Sequence, residues 1–183
     1  MALAAESETT IETWCSLDRI PHPEIRGFAT YWQTKRAARR APARCDIDPS
    51  ELARFLPHMY MLDVVPPGPR VRMRLIGSDA TMRGGFNFTG RFLDEVLPPE
   101  LYTEVQLEVN DVVQEFALRY KISDLEWQDR PYARYHRLMM PLSPDQATVN
   151  MILGIGYVID EVESPATRSA REASFLQARI LIG

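Results

Sequence analysis

At 183 residues the chain is long enough for one sizeable hydrophobic core with terminal extensions, and short for two independent domains. Its 45% apolar and 25% charged content is that of an ordinary globular protein, no window approaches the roughly 18 uninterrupted apolar residues of a membrane-crossing helix, and a net charge of -4 gives no overall attraction to nucleic acid. The cysteines, Cys15 and Cys45, are too few for a disulfide framework, and the start Met1-Ala2-Leu3-Ala4-Ala5 turns acidic at Glu6 without the run of an export signal, so a reducing cytoplasm is the expected location.

Residues 1–23 read as an N-terminal extension. Ile25, Phe28, Ala29 and Trp32 then recur at i, i+3, i+4 and i+7, which predicts an amphipathic helix from about Glu24 to Ala41, with Pro23 in its first turn and Pro42 beyond its end. Asp46 and Asp48 can cap a short helix over Glu51–Leu56, stopped by Pro57. The run Met59–Val65 and the turn Pro66-Pro67-Gly68-Pro69 read as the first arm and bend of a hairpin. In the returning arm Val71, Met73 and Leu75 alternate with Arg70, Arg72 and Arg74, as a half-buried strand requires, so those three apolar side chains are expected on one interior face.

Gly77-Ser78-Asp79 opens a short helical piece, and Gly84-Gly85 and Thr89-Gly90 mark loops around Phe86 and Phe88. Pro98-Pro99 with Glu100 and Glu104 fits a helix start, continued by Leu101, Val105, Val109, Val112 and Phe116. Three strand-like runs follow, Leu118–Trp127, Tyr132–Met140 and Ala147–Ile159. Residues 161–183 read as a tail or a loosely docked helix.

Two strands, a helical midsection and three strands predict an α+β fold, a five-stranded antiparallel sheet with the midsection on one face and an amino-terminal helix. That order resembles the PAS fold. Tyr31-Trp32, Asp46-Ile47-Asp48-Pro49, Leu56-Pro57-His58, Leu62-Asp63-Val64, Arg74-Leu75-Ile76-Gly77, Thr89-Gly90-Arg91 and Met140-Pro141-Leu142-Ser143 are, in that order, similar to a group of stand-alone PAS-like proteins common in alphaproteobacteria. The resemblance covers roughly Phe28 to Ile159, and the PAS-like domain is expected at residues 24–160. It implies a sensory and signalling role, a small-molecule pocket between sheet and midsection, dimerisation through the amino-terminal helix, and output through a separate signalling protein.

Enzyme signatures are scarce: there is no nucleophile elbow, no paired-histidine metal motif, no phosphate loop and no dinucleotide turn, since Gly154-Ile155-Gly156 lacks a third glycine. An enzyme is therefore not expected. No cofactor is named by the residues. His22 and His58 read as structural hydrogen-bonding groups; His136, mid-strand, is placed to reach a pocket, although one histidine does not define a haem site. Both cysteines precede the first strand of the resemblance, which disfavours flavin-adduct chemistry.

The basic run Lys35, Arg36, Arg39, Arg40 and Arg44 suits the negative end of the first helix better than a nucleic-acid site. Alternation nominates Met73, Leu75, Tyr120 and Met151 from the sheet, to which His136 is added by its mid-strand place, with Met82, Phe86, Phe92 and Tyr102 as the opposing wall of a ligand pocket. Ile25, Phe28 and Trp32 are the expected dimer contacts.

Three readings follow: a homodimeric cytoplasmic sensor that binds a small molecule, a ligand-free protein-interaction module whose interior its own Met and Phe side chains fill, or a small isomerase or hydrolase using Asp79, Asp94 or Glu95. No membrane partner is expected.

Overall fold

The computed structural model describes residues 10–12, 17–79, 81, 87–127 and 130–160. The strands are β1 (Thr10–Glu12), β2 (Met59–Val65), β3 (Arg70–Ile76), β4 (Arg119–Trp127), β5 (Arg130–Leu142) and β6 (Met151–Asp160). The helices are α1 (Pro23–Arg36), α2 (Leu93–Val96) and α3 (Pro99–Glu115). All strands join one antiparallel sheet in the order β1-β4-β5-β6-β2-β3. The five strands foreseen are present; β1 was not foreseen, because three residues in a polar start carry no period.

Both faces of the sheet are covered, and so alternation alone could not say which face looks toward the midsection. On one face α1 and the segment 41–58 bury Phe28, Trp32, Leu52 and Phe55 against Met61, Leu138, Met140 and Leu153. On the other, α2 and α3 bury Leu93, Val105, Val109 and Val112 against Leu62, Val71, Met73, Met139 and Ile152. We call these the α1 layer and the α3 layer. At roughly 1.5–3 kcal/mol per large side chain buried, both layers contribute heavily to stability.

α1 starts where His22 Nδ1 accepts the Ile25 N–H at 3.4 Å and Pro23 supplies a preset φ. It ends at Arg36, five residues before the expected Ala41, because Ala37 turns to φ 52° and the Arg39 guanidinium folds back to donate to the Lys35 and Arg36 carbonyls at 2.7 and 3.4 Å. Trp32 Nε1 donates to the Pro141 carbonyl at 2.9 Å, tying the helix to β5. No helix of the short piece Glu51–Leu56 forms; turns and a 3-10 element, Leu56–His58, take its place. The first four residues of the expected strand Ala147–Ile159 are held as a loop by Asp145, which accepts from the Ala147 and Thr148 amides and from the Thr148 and Ser143 hydroxyls.

One irregularity redirects a strand. Leu62 lies opposite Met73, but Met61 lies opposite Leu75, so β3 carries an extra residue there. An extra residue reverses the alternation. Val71 and Met73 point into the α3 layer, where Ile76 joins them, whereas Leu75 emerges 40% exposed. The expected common interior face of Val71, Met73 and Leu75 is corrected to the first two.

Candidate functional site

The space between the sheet and α3 is built from β2, β5 and β6 on one side and two stripes of α3 on the other. Gly154 and Gly156 of β6 leave two gaps on this sheet face, and each is filled by a tyrosine ring. A Cβ on Gly154 would overlap the Tyr60 ring, and one on Gly156 would overlap the Tyr135 ring. The glycines are required by this close approach, not by backbone conformation. Burial pushes both phenols above their ordinary pKa, Tyr60 far above. Tyr60 Oη donates a long hydrogen bond of 3.4 Å to the Leu138 carbonyl.

Beside these rings α3 docks by charge. Val105, Val109 and Val112 form its apolar stripe, and Glu104, Glu108, Asp111 and Glu115, at i, i+4, i+7 and i+11, form a second stripe next to it. The acidic stripe meets Arg119 and Lys121 of β4 and Arg137 of β5. Arg119 binds Asp111 at 3.0 Å and Glu115 at 2.7 Å; Lys121 binds Glu104 at 2.8 Å and Glu108 at 3.2 Å; Arg137 binds Glu108 at 2.6 Å. Glu108 is 3% exposed, and both cations use its Oε1, leaving Oε2 buried without a hydrogen-bond partner. Burial works against the Arg137 charge, but Glu108 and the neighbouring phenols outweigh it and hold its pKa above the ordinary value. This clamp was not foreseen: Arg119, Lys121 and Arg137 alternate with apolar residues and look like a solvated face, although the helical spacing of the four acids was a readable signal.

The family model described as "PAS domain" matches residues 20–157. The chain belongs to the PAS domain family. That family is typically sensory and signalling, and the sheet order from β3 to β4 is that of its fold. A solved RNA-binding light-oxygen-voltage receptor is similar at 14% identity, over 73% of this chain and 37% of that one, with a TM-score of 0.45, so the chain spans little more than a third of that receptor. The PAS domain of Bordetella pertussis BvgS is similar at 17% identity, over 72% of this chain and 99% of that one, with a TM-score of 0.46. No curated protein matches the chain.

Within this PAS fold the nominated pocket residues separate. Met73 lies in the α3 layer and Tyr102 packs at its margin, its hydroxyl donating to Gln106 Oε1 at 2.8 Å. Phe92 is not part of that wall; its ring lies under the Arg70 guanidinium, 3.6 Å from ring centroid to Cζ. Met82 and Phe86 fall outside the described residues. Tyr120, His136 and Met151 belong to the opposite, α1 side of the sheet, so they cannot share a cavity with Met73. With both faces covered, each strand has two interior faces, and alternation does not say which of them adjoins which helix. The expected dimer contacts Ile25, Phe28 and Trp32 are likewise corrected, since all three are buried in the chain's own core.

The α1 side brings together what the sequence kept apart. The Tyr157 ring stacks on His22 at 4.5 Å and on His58 at 4.0 Å, and His22 lies 5.8 Å from His136. His136 Nδ1 lies 2.6 Å from Tyr120 Oη, a bond the hydroxyl donates when the imidazole carries its proton on Nε2. Burial, with His22 and Arg134 adding, lowers the His136 pKa to about 4. Among the described residues no three His, Cys, Asp or Glu side chains are arranged to hold a metal ion.

Several of the other charges are paired locally. Lys35 pairs with Glu51, Arg39 with Asp46, and Arg40 stacks on Phe116 at 3.7 Å, so the basic run serves the fold around the helix end. Asp94 takes two hydrogen bonds from Arg70, which hold it below the ordinary carboxylate range, and Glu95 pairs with Arg70 and Arg91. Asp79 lies 3.3 Å from His58. An acid poised for catalysis would need its pKa raised, and Asp94 moves the other way.

Proposed function

We propose that this chain is a cytoplasmic PAS signalling module of the self-filled kind, which acts through a separate protein partner and does not hold a small molecule between sheet and α3. One observation carries the reading: the Tyr60 ring and the phenol end of Tyr135 press so closely on Gly154 and Gly156 that even a methyl group on the backbone would collide with them. The clamp of Glu108 between Arg137 and Lys121 supports it, because a ligand there would have to break a buried ion pair. The filling differs in kind from the Met and Phe packing expected of a ligand-free domain: rings on glycine and charge on charge occupy the site. No homodimer is required, since the α1 stripe is already used. Among the described residues no helix is long and apolar enough to cross a membrane.

A second reading rests on Glu108 Oε2. A buried acceptor without a partner costs about 1–3 kcal/mol, and a small hydrogen-bond donor seated beside it would recover that. Native mass spectrometry of the freshly purified full chain separates the two. The self-filled reading predicts the same protein mass under native and denaturing conditions. A mass excess of an organic molecule, retained natively and released on denaturation, would replace it with the ligand-binding reading.

A further inference from the structure

We propose that His22 is the sensing element of an acid-released latch that holds the amino-terminal end of α1 on the sheet, with His58, His136 and Tyr157 as its seat. His22 Nδ1 accepts the Ile25 N–H at 3.4 Å, and that is the side-chain cap of the helix. Only a neutral imidazole with its proton on Nε2 can accept there; once protonated, both ring nitrogens are donors and the cap is lost. The new charge then sits at the positive end of the helix dipole.

The surroundings add to this. From α1 itself, Glu24 favours a charged His22, and Arg54 pairs with Glu24 at 3.7 Å. From the 3-10 element Leu56–His58, His58 opposes a second cation across Tyr157, while Asp79 stands 3.3 Å from His58. From β5, His136 lies 5.8 Å away and carries Arg134 as a further cation on its own strand; from β4, Tyr120 binds His136; from β6, the Tyr157 ring face favours a cation on His22. The turn Leu17–Arg19 brings Asp18 and Arg19 just upstream. Burial is the largest influence and lowers the His22 pKa from 6.5, with Glu24 acting against it and His58 with it.

The direction follows from linkage. A folded-state value below the unfolded one means that the latch is at full strength above the ordinary imidazole pKa and weakens as pH falls through the lower, folded value. Release would free the end of α1 that carries Ile25 and Phe28, and so uncover the α1 side of the sheet near Tyr157. The latch acts on the opposite side of the sheet from the α3 layer and is independent of how that layer is filled.

Hydrogen exchange of the full chain, followed by mass spectrometry on peptides covering residues 23–36 and corrected for intrinsic exchange, tests it between pH 7 and pH 4.5. The expected result is a loss of protection at the start of α1 of about tenfold on acidification, the scale of a lost cap plus an unfavourable terminal charge. The variant His22→Asn keeps a capping oxygen that does not titrate, so over the same range the start of α1 should lose no more protection than the neighbouring sheet does. Wild-type protection that does not change, or an equal loss in His22→Asn, overturns the proposal. Should the variant not fold, the His22 ring titration followed by NMR in the wild type decides: its midpoint should coincide with the opening of α1, and a separate midpoint overturns the proposal.

Discussion

Replacing Glu108 by alanine should be the most destabilising single change on α3. Glu108 is 3% exposed, and its loss leaves the buried Lys121 and the largely buried Arg137 behind. Lys121 keeps Glu104 at 2.8 Å, but among the described residues Glu108 is the ion-pair partner of Arg137, whose side chain is 14% exposed. Removing one member of a buried pair costs about 3–5 kcal/mol, because the other charge stays desolvated and unpaired. Two effects reduce that here: Lys121 retains one carboxylate, and the unpartnered Oε2, a liability of about 1–3 kcal/mol, goes with the side chain. A net loss of ~3 kcal/mol remains. With a urea m-value of about 2 kcal/mol/M, the midpoint should fall by roughly 1.5 M at unchanged m. The double variant Glu108→Met with Arg137→Met removes both charges and should recover most of the loss, whereas Arg137→Met alone should not. Urea denaturation followed by circular dichroism measures all three. A Glu108→Ala loss below about 1 kcal/mol, the scale of an exposed pair, would show that the clamp is not buried in solution.

Three further outcomes follow from the same geometry. Gly154→Ala should lower stability by about 1–3 kcal/mol through the collision with Tyr60, and combining it with Tyr60→Ala should show strong positive coupling in thermal melts. Acidification should destabilise the wild type: the His136 pKa of about 4 lies below 6.5, so its contribution is complete above 6.5 and is lost as pH falls toward 4, by up to ~3 kcal/mol. Residual solvent contact makes ~2 kcal/mol the realistic figure, and His136→Phe should flatten that slope in chemical denaturation at successive pH values. Trp32→Phe, which loses the bond to the Pro141 carbonyl, should cost about 1 kcal/mol and expose that strand in hydrogen exchange.

The fold was legible because its elements carry strong periods. The stripe Ile25-Phe28-Ala29-Trp32, the turn at Pro66–Pro69 and the closing strands β4 and β5 lie where their patterns put them to within two residues, while β6 begins four residues later than its apolar run. The site was much less so. Period two says that alternate residues share a face, but with α1 on one side and α3 on the other it does not say which face adjoins which helix. Tyr120, His136 and Met151 were therefore joined to Met73 across the thickness of the sheet. The extra residue in β3, which turns Leu75 outward, has no local signature. Arg119, Lys121 and Arg137 are buried only because Glu104, Glu108, Asp111 and Glu115 meet them, a fact that neither segment shows alone. The three histidines converge through the pairing of β5 with β6 and the path of the chain before α1, and linear spacing carries no trace of that.

The direct check on a self-filled interior is the NMR signature of two glycines in the freshly purified protein. Ring currents from Tyr60 and Tyr135 should move the Hα resonances of Gly154 and Gly156 strongly upfield, with cross-peaks to the protons of those same rings. Hα shifts at ordinary strand positions, together with cross-peaks to a molecule that is not part of the chain, would contradict the account.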